Sequence, residues 1–437
     1  MAAFNLFTLA IHTLVALAGG KDTTVTPEYG FSSWQNQMLH MECLHSRGFT
    51  GKGIVIADFD DGFNGIDTVG AYSHIFKSKR IKASWDFVFN RPLKYEATGS
   101  HGAHTFSVLA AHNPGLLVGT AYDASFLLAH TEDSHSETHR EEEYWKQAVE
   151  WADSLGADII TSSLGYALFD SLQGDYTQRQ LDGKTAIITK AADYAASKGM
   201  LVVVPAGNSG RQAWGKISFP GDADSALTVG AVDSLGKYVS FSGRGPTADG
   251  RVKPDVAAMG HLVYFLETDG RVSYGSGTSF STPIIAGMAA CLMQAHGKRN
   301  NTEIITAIRQ SSDDYLYPNA FTGYGIPNAC LADSLLARMD ELADGTVQQK
   351  GHNALGFDWT FDPSSKTLTL LRAEGVPKPR ISRIWVRDKR EKNYFYKEKP
   401  RFKKGTVEVV LNNIPTGYLT FTLENKKGKR TFIGIWN

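Results

Sequence analysis

The chain is poor in cysteine, which excludes a scaffold held together by disulfide bonds. Its 437 residues contain three cysteines, whereas disulfide-rich folds use several pairs in a short chain. An odd number leaves at least one thiol unpaired within the chain. Cys291 lies in an apolar helical run, so we expect it to be a small core residue. None of the three has surroundings typical of a nucleophile.

The chain also has no net charge, although its charges are unevenly distributed. Formal net charge is +0, with 21% charged and 42% hydrophobic residues, which is ordinary for a globular protein. Residues 351–437 contain 18 Lys and Arg against 8 Asp and Glu, so the preceding part is acidic. Such asymmetry is typical of a domain boundary or a surface-binding module. We predict no nucleic-acid partner.

Long apolar runs are missing except near the start, at residues 4–18. This stretch is too short and interrupted for a membrane span, so none is predicted. Ala16-Leu17-Ala18 has the small-x-small form of a signal-peptidase site, which predicts a signal peptide over 1–18 and a secreted or cell-surface protein. The segment before the apolar run has no Lys or Arg, which leaves a misplaced start codon as the alternative.

Strand-like runs alternate with amphipathic helical segments through most of the chain. The strands are predicted at 54–59, 117–120, 125–130, 157–161, 201–205 and 227–232, and the helices at 104–112, 141–155 and 185–199. This alternation predicts an α/β fold with a doubly wound, mostly parallel sheet. The second helix is expected to bury one face, formed by Trp145, Ala148, Val149, Ala152 and Leu155.

After about residue 345 the pattern changes to short alternating runs separated by Gly, Pro and Asn. They lie at 367–371, 381–386, 406–411, 418–423 and 431–436. Period-two alternation of this kind predicts a small antiparallel β-sandwich. We therefore divide the mature chain into a main domain over 19–344 and a C-terminal domain over 345–437.

The most informative segment is Gly277-Thr278-Ser279-Phe280-Ser281-Thr282-Pro283, followed by an apolar run. Because proline is tolerated only in the first turn of a helix, Pro283 places Ser279 at or just before a helix N-terminus. Free amides and the helix dipole favour developing negative charge there. That position suits a nucleophilic serine, although the segment alone also fits an ordinary turn into a buried helix.

Three further segments each end a predicted element with a polar residue. Asp60 follows the run 54–59, where open α/β sheets place active sites, and Asn208 follows the run 201–205, where its amide is able to donate to an oxyanion. His101 precedes a helical stripe and suits general acid–base work. Singly, these fit an Asx turn, a left-handed turn residue and a helix-start histidine. A metal pair of His101 and His104 is disfavoured because no Glu stands between them as in zinc proteases.

Together the residues follow the chain order Asp60, His101, Asn208, Ser279, and the order Asp, His, Ser distinguishes one group of serine hydrolases from others. The chain resembles the subtilisin-like serine proteases (subtilases, peptidase family S8) over roughly 29–340. Further similar segments are 43–53, Ser163-Leu164-Gly165, 219–221, 229–232, 241–246 and 253–258.

The resemblance implies a subtilisin-like fold and a role for each residue. Ser279 would be the nucleophile, His101 the general base and then acid, and Asp60 the group that orients the imidazole. Asn208 and the Ser279 amide would form the oxyanion hole. Asp60 rather than Asp58 or Asp61 is selected because the family has its aspartate two residues before Gly62.

Two positions depart from the family pattern. Asp61 replaces a small or hydroxyl residue, and its charge is expected to raise the pKa of its neighbour. Ala103 replaces a threonine, which costs a local hydrogen bond. Neither change removes a catalytic group.

The implied substrate is a protein or peptide held as an added strand beside Ser163, Leu164 and Gly165. Tyr166 and the loop 209–217 are expected to border the primary pocket. The chemistry implies no cofactor, and structural calcium, common in the family, has no identified ligands here. The C-terminal domain weakly resembles modules of secreted bacterial enzymes through residues 414–418, which suggests contact with a cell surface or sorting machinery.

Several alternatives remain open at the level of the sequence. The acidic loop 131–143, with His135 and His139, is interpreted as a solvated loop with Glu in the first turn of a helix, rather than a metal site. A non-catalytic peptide-binding relative is the alternative function, while an esterase lacks a Gly-x-Ser-x-Gly motif. The family's usual pro-domain would either lie upstream or be dispensable for folding.

Overall fold

A computed structural model describes residues 28–436 with short omissions. The segments left out are 97–98, 171–173, 298, 344–348, 353–356, 363–366, 373–380, 389–392, 399–405, 411–417 and 426–429. The predicted signal peptide over 1–18 lies outside the described residues. The chain divides into two compact units, residues 1–330 and 331–437. The predicted boundary between residues 344 and 345 also falls outside the described residues and stays a prediction.

The first unit contains a seven-stranded parallel sheet in the order β2-β5-β1-β6-β7-β8-β9. Its strands are β1 (Val55–Asp60), β2 (Ile81–Asp86), β5 (Ser125–His130), β6 (Ile159–Ser162), β7 (Leu201–Pro205), β8 (Ala226–Val232) and β9 (Val256–Met259). Two small antiparallel hairpins lie outside it: β3 (His112–Asn113) with β4 (Leu117–Val118), and β10 (Val263–Leu266) with β11 (Val272–Gly275). The predicted doubly wound α/β fold is confirmed.

The helices connect these strands. They are α1 (Ser33–Gln37), α2 (Glu42–His45), α3 (Ser73–Lys77), α4 (His101–Ala110), α5 (His139–Ser154), α6 (Ile187–Ser197), α7 (Thr278–Ala295), α8 (Asn301–Gln310) and α9 (Ala329–Ala343), with short 3₁₀ turns at Gly70–Tyr72 and Gln178–Gln180. α7 contacts the sheet strands β6 to β9 and packs on α4, while α5 and α6 pack against each other.

Three expectations about individual elements were wrong. The run 117–120 does not join the main sheet, because Leu117–Val118 pairs with the adjacent β3 and Leu117 forms an isolated bridge with Gly30. Leu155 is 46% exposed, because α5 ends at Ser154 and the buried face stops at Ala152. The acidic segment is not wholly solvated, since Glu141 and Glu142 in the first turn of α5 are buried. β2 was not predicted, whereas β9 begins in the segment 253–258, where the resemblance implied a strand.

Buried acids in α5 are accommodated by hydrogen bonds. Thr138 and Glu141 form a capping box around the start of the helix. The Glu142 carboxylate accepts from His139 Nδ1 at 2.6 Å and from the Tyr176 hydroxyl at 2.9 Å. These partners satisfy the buried Glu142 carboxylate, whereas Glu141 Oε1 is buried without a hydrogen-bond partner.

The two ends of the first unit are joined covalently. Cys43 in α2 forms a disulfide with Cys330 in α9, with Cα atoms 5.6 Å apart and a sequence separation of 287. Cys291 is the free cysteine and is buried in α7, which confirms its predicted core position. Among the described residues, no helix combines the length and apolar character that crossing a membrane requires.

The second unit contains two four-stranded antiparallel sheets. One has the order β12-β13-β14-β17 and the other β16-β15-β18-β19. Their strands are β12 (Gln349–His352), β13 (Phe357–Asp362), β14 (Thr367–Arg372), β15 (Ile381–Asp388), β16 (Asn393–Glu398), β17 (Thr406–Val410), β18 (Tyr418–Asn425) and β19 (Arg430–Trp436). Both sheets contribute alternate buried side chains, among them Leu368 and Leu370 from one and Ile384 and Phe421 from the other. This is the predicted β-sandwich.

Candidate active site

Three of the predicted polar residues lie at the carboxyl ends of neighbouring strands. Asp60 is the last residue of β1, Ser163 directly follows β6, and Asn208 follows β7 by three residues. Since β1, β6 and β7 are adjacent and parallel, their carboxyl ends meet at one edge of the sheet. Open α/β sheets bind their ligands at this edge.

The Asp60 carboxylate is fully buried and held by three donors. Oδ1 accepts from His101 Nδ1 at 2.6 Å and from the Asp61 amide at 2.8 Å, and Oδ2 accepts from the Thr105 hydroxyl at 3.2 Å. Thr105 was not predicted, although its position one turn after His101 on α4 gives it the same helix face. These contacts fix the direction in which the carboxylate meets the imidazole.

His101 is the first residue of α4, and its ring faces the Asp60 carboxylate. Because a carboxylate only accepts, Nδ1 carries the proton and Nε2 is left as an acceptor. Burial alone would lower the pKa of His101, but the adjacent Asp60 charge and hydrogen bond raise it to about 9. The ring is thus a strong base with its free nitrogen directed away from Asp60.

Two other carboxyls lie beside Asp60. Burial, with the charge of Asp60, raises the pKa of Asp58 well above its usual range. The same two causes, in the same order, raise the pKa of Asp61 to about 6. Of the three aspartates, the residue hydrogen-bonded to His101 is Asp60, in keeping with the position selected from the sequence.

Ser279 is the second residue of α7, so its amide has no partner within the helix. Pro283 lies beyond the first turn, contrary to the prediction, and has no N–H to donate to the Ser279 carbonyl four residues earlier. The Ser163 hydroxyl donates to that carbonyl instead, at 2.8 Å. The sequence rule failed because a side chain 116 residues away supplies the missing donor.

The hydroxyl of Ser279 also contacts Ser163. Ser279 Oγ donates to the Ser163 carbonyl at 3.2 Å. Among the hydrogen bonds of the described residues, none joins Ser279 to His101. The structure therefore pairs Asp60 with His101 and Ser279 with Ser163, as two separate hydrogen-bonded pairs.

Asn208 is tied to the residue before Ser279. Its Oδ1 accepts from the Thr278 amide at 2.9 Å and from the Thr278 hydroxyl at 3.0 Å, which leaves Nδ2 as the donor. Gly207 makes the turn possible, because it has φ of 84° and a Cβ there would lie 2.0 Å from Ser218 Oγ. The side-chain amide is thus oriented before any ligand binds.

The segment Ser163–Gly165 runs from the end of β6 to Tyr166. Tyr166 forms an isolated antiparallel bridge with Phe219, and its buried hydroxyl donates to Glu132 Oε2 at 2.7 Å. Tyr166 therefore points into the protein, and Glu132 was not predicted. Glu132 belongs to the acidic segment 131–143. Its contact with Tyr166 depends on the fold, so the sequence pattern does not predict it.

Asp60, Asp61 and His101 place ligand-type atoms within 4.8 Å of one another. This group would be the candidate for a cation, but the Nδ1 of His101 carries a proton in the hydrogen bond to Asp60. A protonated nitrogen is not a metal ligand. His104 is engaged elsewhere, since its Nε2 lies 3.1 Å from Glu267 Oε2. With Nδ1 donating to Asp60, this group is arranged for acid–base chemistry at Nε2.

Most of the first unit matches a family of known proteins. The model of the Subtilase family matches residues 51–326. Subtilisin E of Bacillus subtilis (strain 168) is 30% identical over 303 residues, which is 69% of this chain and 69% of the relative.

Solved structures show the same fold at lower identity. The MycP3 protease from the type VII (ESX-3) secretion system is 19% identical with a TM-score of 0.56, covering 71% of this chain and 90% of that one. MycP1 from Mycobacterium smegmatis is 22% identical with a TM-score of 0.52, covering 71% and 87%. Taken with the family match, these findings place the chain in the subtilase family of serine proteases.

Proposed function

We propose that the chain is a secreted serine endopeptidase that hydrolyses peptide bonds through an acyl-enzyme. The observation that supports this most directly is the 2.6 Å bond from His101 Nδ1 to Asp60, which leaves Nε2 free to accept a proton. Ser279 lies at a helix N-terminus beside Asn208, where an oxyanion is favoured. The substrate class is protein or peptide, and the reaction uses side chains and water without a cofactor.

In the first step, Ser279 Oγ attacks the carbonyl carbon of the scissile bond and its proton passes to His101 Nε2. Asp60 stabilises the imidazolium that forms. The negative oxygen accepts from Asn208 Nδ2 and the Ser279 amide. Collapse of the tetrahedral intermediate breaks the C–N bond, and the proton on Nε2 passes to the leaving amine. A water, deprotonated by the same nitrogen, then releases the acid and restores Ser279.

The contact between Ser279 and Ser163 fits this mechanism. An added substrate strand beside Ser163–Gly165 would donate a backbone N–H to the Ser163 carbonyl. That carbonyl is the acceptor that Ser279 Oγ uses without substrate. Competition for it would release the hydroxyl toward His101 when substrate binds.

We also propose that the protein works outside the cytoplasm. The Cys43–Cys330 disulfide supports this, because structural disulfides persist mainly in oxidising compartments. The signal peptide predicted over 1–18 agrees with it. Contact of the basic C-terminal domain with a cell surface or sorting machinery, and any structural calcium, remain proposals of the sequence analysis.

A fluorophosphonate probe on the purified chain tests the proposed function. We expect a single adduct, mapped to Ser279 by peptide mass analysis and lost in His101→Ala. No adduct on a folded sample would favour the alternative, a non-catalytic peptide-binding protein. The separation of Ser279 from His101 in the hydrogen-bond pattern is the observation that keeps this alternative in view.

Activity should require alkaline pH. His101 must be neutral to accept the Ser279 proton, and with its pKa raised to about 9 only about 1% of it is neutral at pH 7. We therefore expect kcat/KM to be half-maximal near pH 9, to rise further above it, and to be lost as pH falls through that value. Rates on a peptide substrate from pH 5 to 11, with circular dichroism at each pH to monitor folding, check this. An acid limb centred near 6.5 would contradict it.

A further inference from the structure

Asp61 contacts the helix that begins with His101. The Gly102 amide donates to Asp61 Oδ1 at 3.0 Å, and Gly102 is the second residue of α4. The residue before the helix, Ser100, makes no side-chain capping bond. Since the first amides of a helix lack partners within it, the Asp61 carboxylate supplies the missing cap from another part of the chain.

The backbone of Asp61 is also held by hydrogen bonds. Its carbonyl accepts from the Gly99 amide at 2.9 Å, and its own amide donates to Asp60 Oδ1 at 2.8 Å. A Cβ on Gly99 would lie 2.1 Å from Asp61 Oδ2. A residue larger than glycine at position 99 would therefore displace the carboxylate. These contacts clamp the first turn of α4 against the end of β1.

We propose, on the basis of the proposed function, that Asp61 is a positioning residue that caps α4 and so holds His101 on Asp60. Its action is on the orientation and charge of His101, not on the substrate. A carboxylate at a helix N-terminus is favourable through both the hydrogen bond and the helix dipole.

Charge adds a second effect on the same ring. The titratable groups that interact with Asp61 are Asp60, His101 and His130, and Asp58 and His104 also interact with His101. Burial, then Asp60, raise the pKa of Asp61 to about 6, so it is negatively charged throughout the alkaline range where His101 is neutralised. A negative charge there favours the protonated imidazole. Removing it should make His101 lose its proton at lower pH.

Two substitutions separate the capping effect of Asp61 from the effect of its charge. Asp61→Asn keeps an oxygen acceptor for the Gly102 amide and removes the charge, whereas Asp61→Ala removes both. Glu267→Gln is the matched control, since Glu267 pairs with His104 one turn further along the same helix and does not contribute to the raised pKa of His101. Asp61→Ser, with a shorter acceptor, serves if the alanine variant does not fold.

In Asp61→Asn we expect the acid limb of kcat/KM to move down by about half to one pH unit, with plateau kcat little changed. In Asp61→Ala we expect plateau kcat to fall about tenfold, the rate equivalent of a lost helix cap, with KM nearly unchanged. Glu267→Gln should change neither. An unchanged acid limb in Asp61→Asn, with an unchanged plateau in Asp61→Ala, would overturn the proposal.

The His101 ring signal, titrated by NMR in the full chain, gives a readout that needs no activity. We expect its midpoint to fall in Asp61→Asn and to stay constant in Glu267→Gln. A wild-type chain that does not react with the phosphonate would refute the proposed function alone. Equal midpoints in wild type and Asp61→Asn would refute the effect of the Asp61 charge on His101, and an unchanged plateau kcat in Asp61→Ala would refute its capping role.

Discussion

Replacing Ser279 by alanine should reduce kcat on a peptide substrate by about 10⁶, the loss found when the triad serine of subtilisin is removed. The reason is that no acyl-enzyme forms without Oγ. The fold should persist, because the hydroxyl makes a single hydrogen bond, to the Ser163 carbonyl, worth about 1 kcal/mol. Steady-state rates and phosphonate labelling followed by intact mass would measure the effect.

Ser281→Ala is the matched control for this substitution. Ser281 lies in the same helix, is fully buried, and donates to the Thr278 carbonyl at 2.9 Å. Its loss removes a comparable hydroxyl two residues away, so we expect normal labelling at Ser279. Continued labelling of the Ser279→Ala protein at another serine would contradict the assignment of the nucleophile.

Replacing Asn208 by alanine should lower kcat by about 10²–10³ and change KM little, the range that loss of the oxyanion donor causes in subtilisin. The amide would donate to the oxygen only as charge develops on it, so the transition state loses more than the bound substrate does. Initial rates over a range of substrate concentrations separate the two constants. A twofold loss or less would show that Asn208 Nδ2 does not act on the oxyanion.

Two variants distinguish the role of Asn208 Nδ2 as a donor from the role of the Thr278 bonds that orient it. Asn208→Asp keeps an oxygen for the two Thr278 bonds but puts a carboxylate where Nδ2 stood, so kcat should fall at least as far as in the alanine variant. Thr278→Val removes the hydroxyl bond and keeps the amide bond to Oδ1. We expect that variant to lose only a few-fold in kcat, since a single neutral hydrogen bond is worth about 1 kcal/mol.

Local patterns were sufficient to predict the residues that end each central strand. Asp60 and Asn208 were found because a buried strand followed by a polar turn appears in the sequence as an apolar run that ends in polar residues. β2 was missed because it lies at the edge of the sheet and is only partly buried, which leaves no apolar run.

Contacts between segments that are distant in the chain could not be predicted from the sequence. The exchange of hydrogen bonds between Ser163 and Ser279 joins the ends of separate elements and depends on how α7 packs over β6. The expected effect of Asp61 also changed once contacts were known. The sequence indicated repulsion alone, whereas the structure adds a bond from Gly102 that only the approach of α4 to β1 creates.

The disulfide between Cys43 and Cys330 affects how self-cleavage of a protease would be detected. It joins two cysteines with a sequence separation of 287 and closes the chain between them into a covalent ring. A single self-inflicted cut anywhere between these cysteines leaves both pieces attached. Nicked enzyme would therefore migrate as one species on a non-reducing gel and separate into fragments only after reduction, so intact size alone would overestimate how much uncut enzyme a preparation contains.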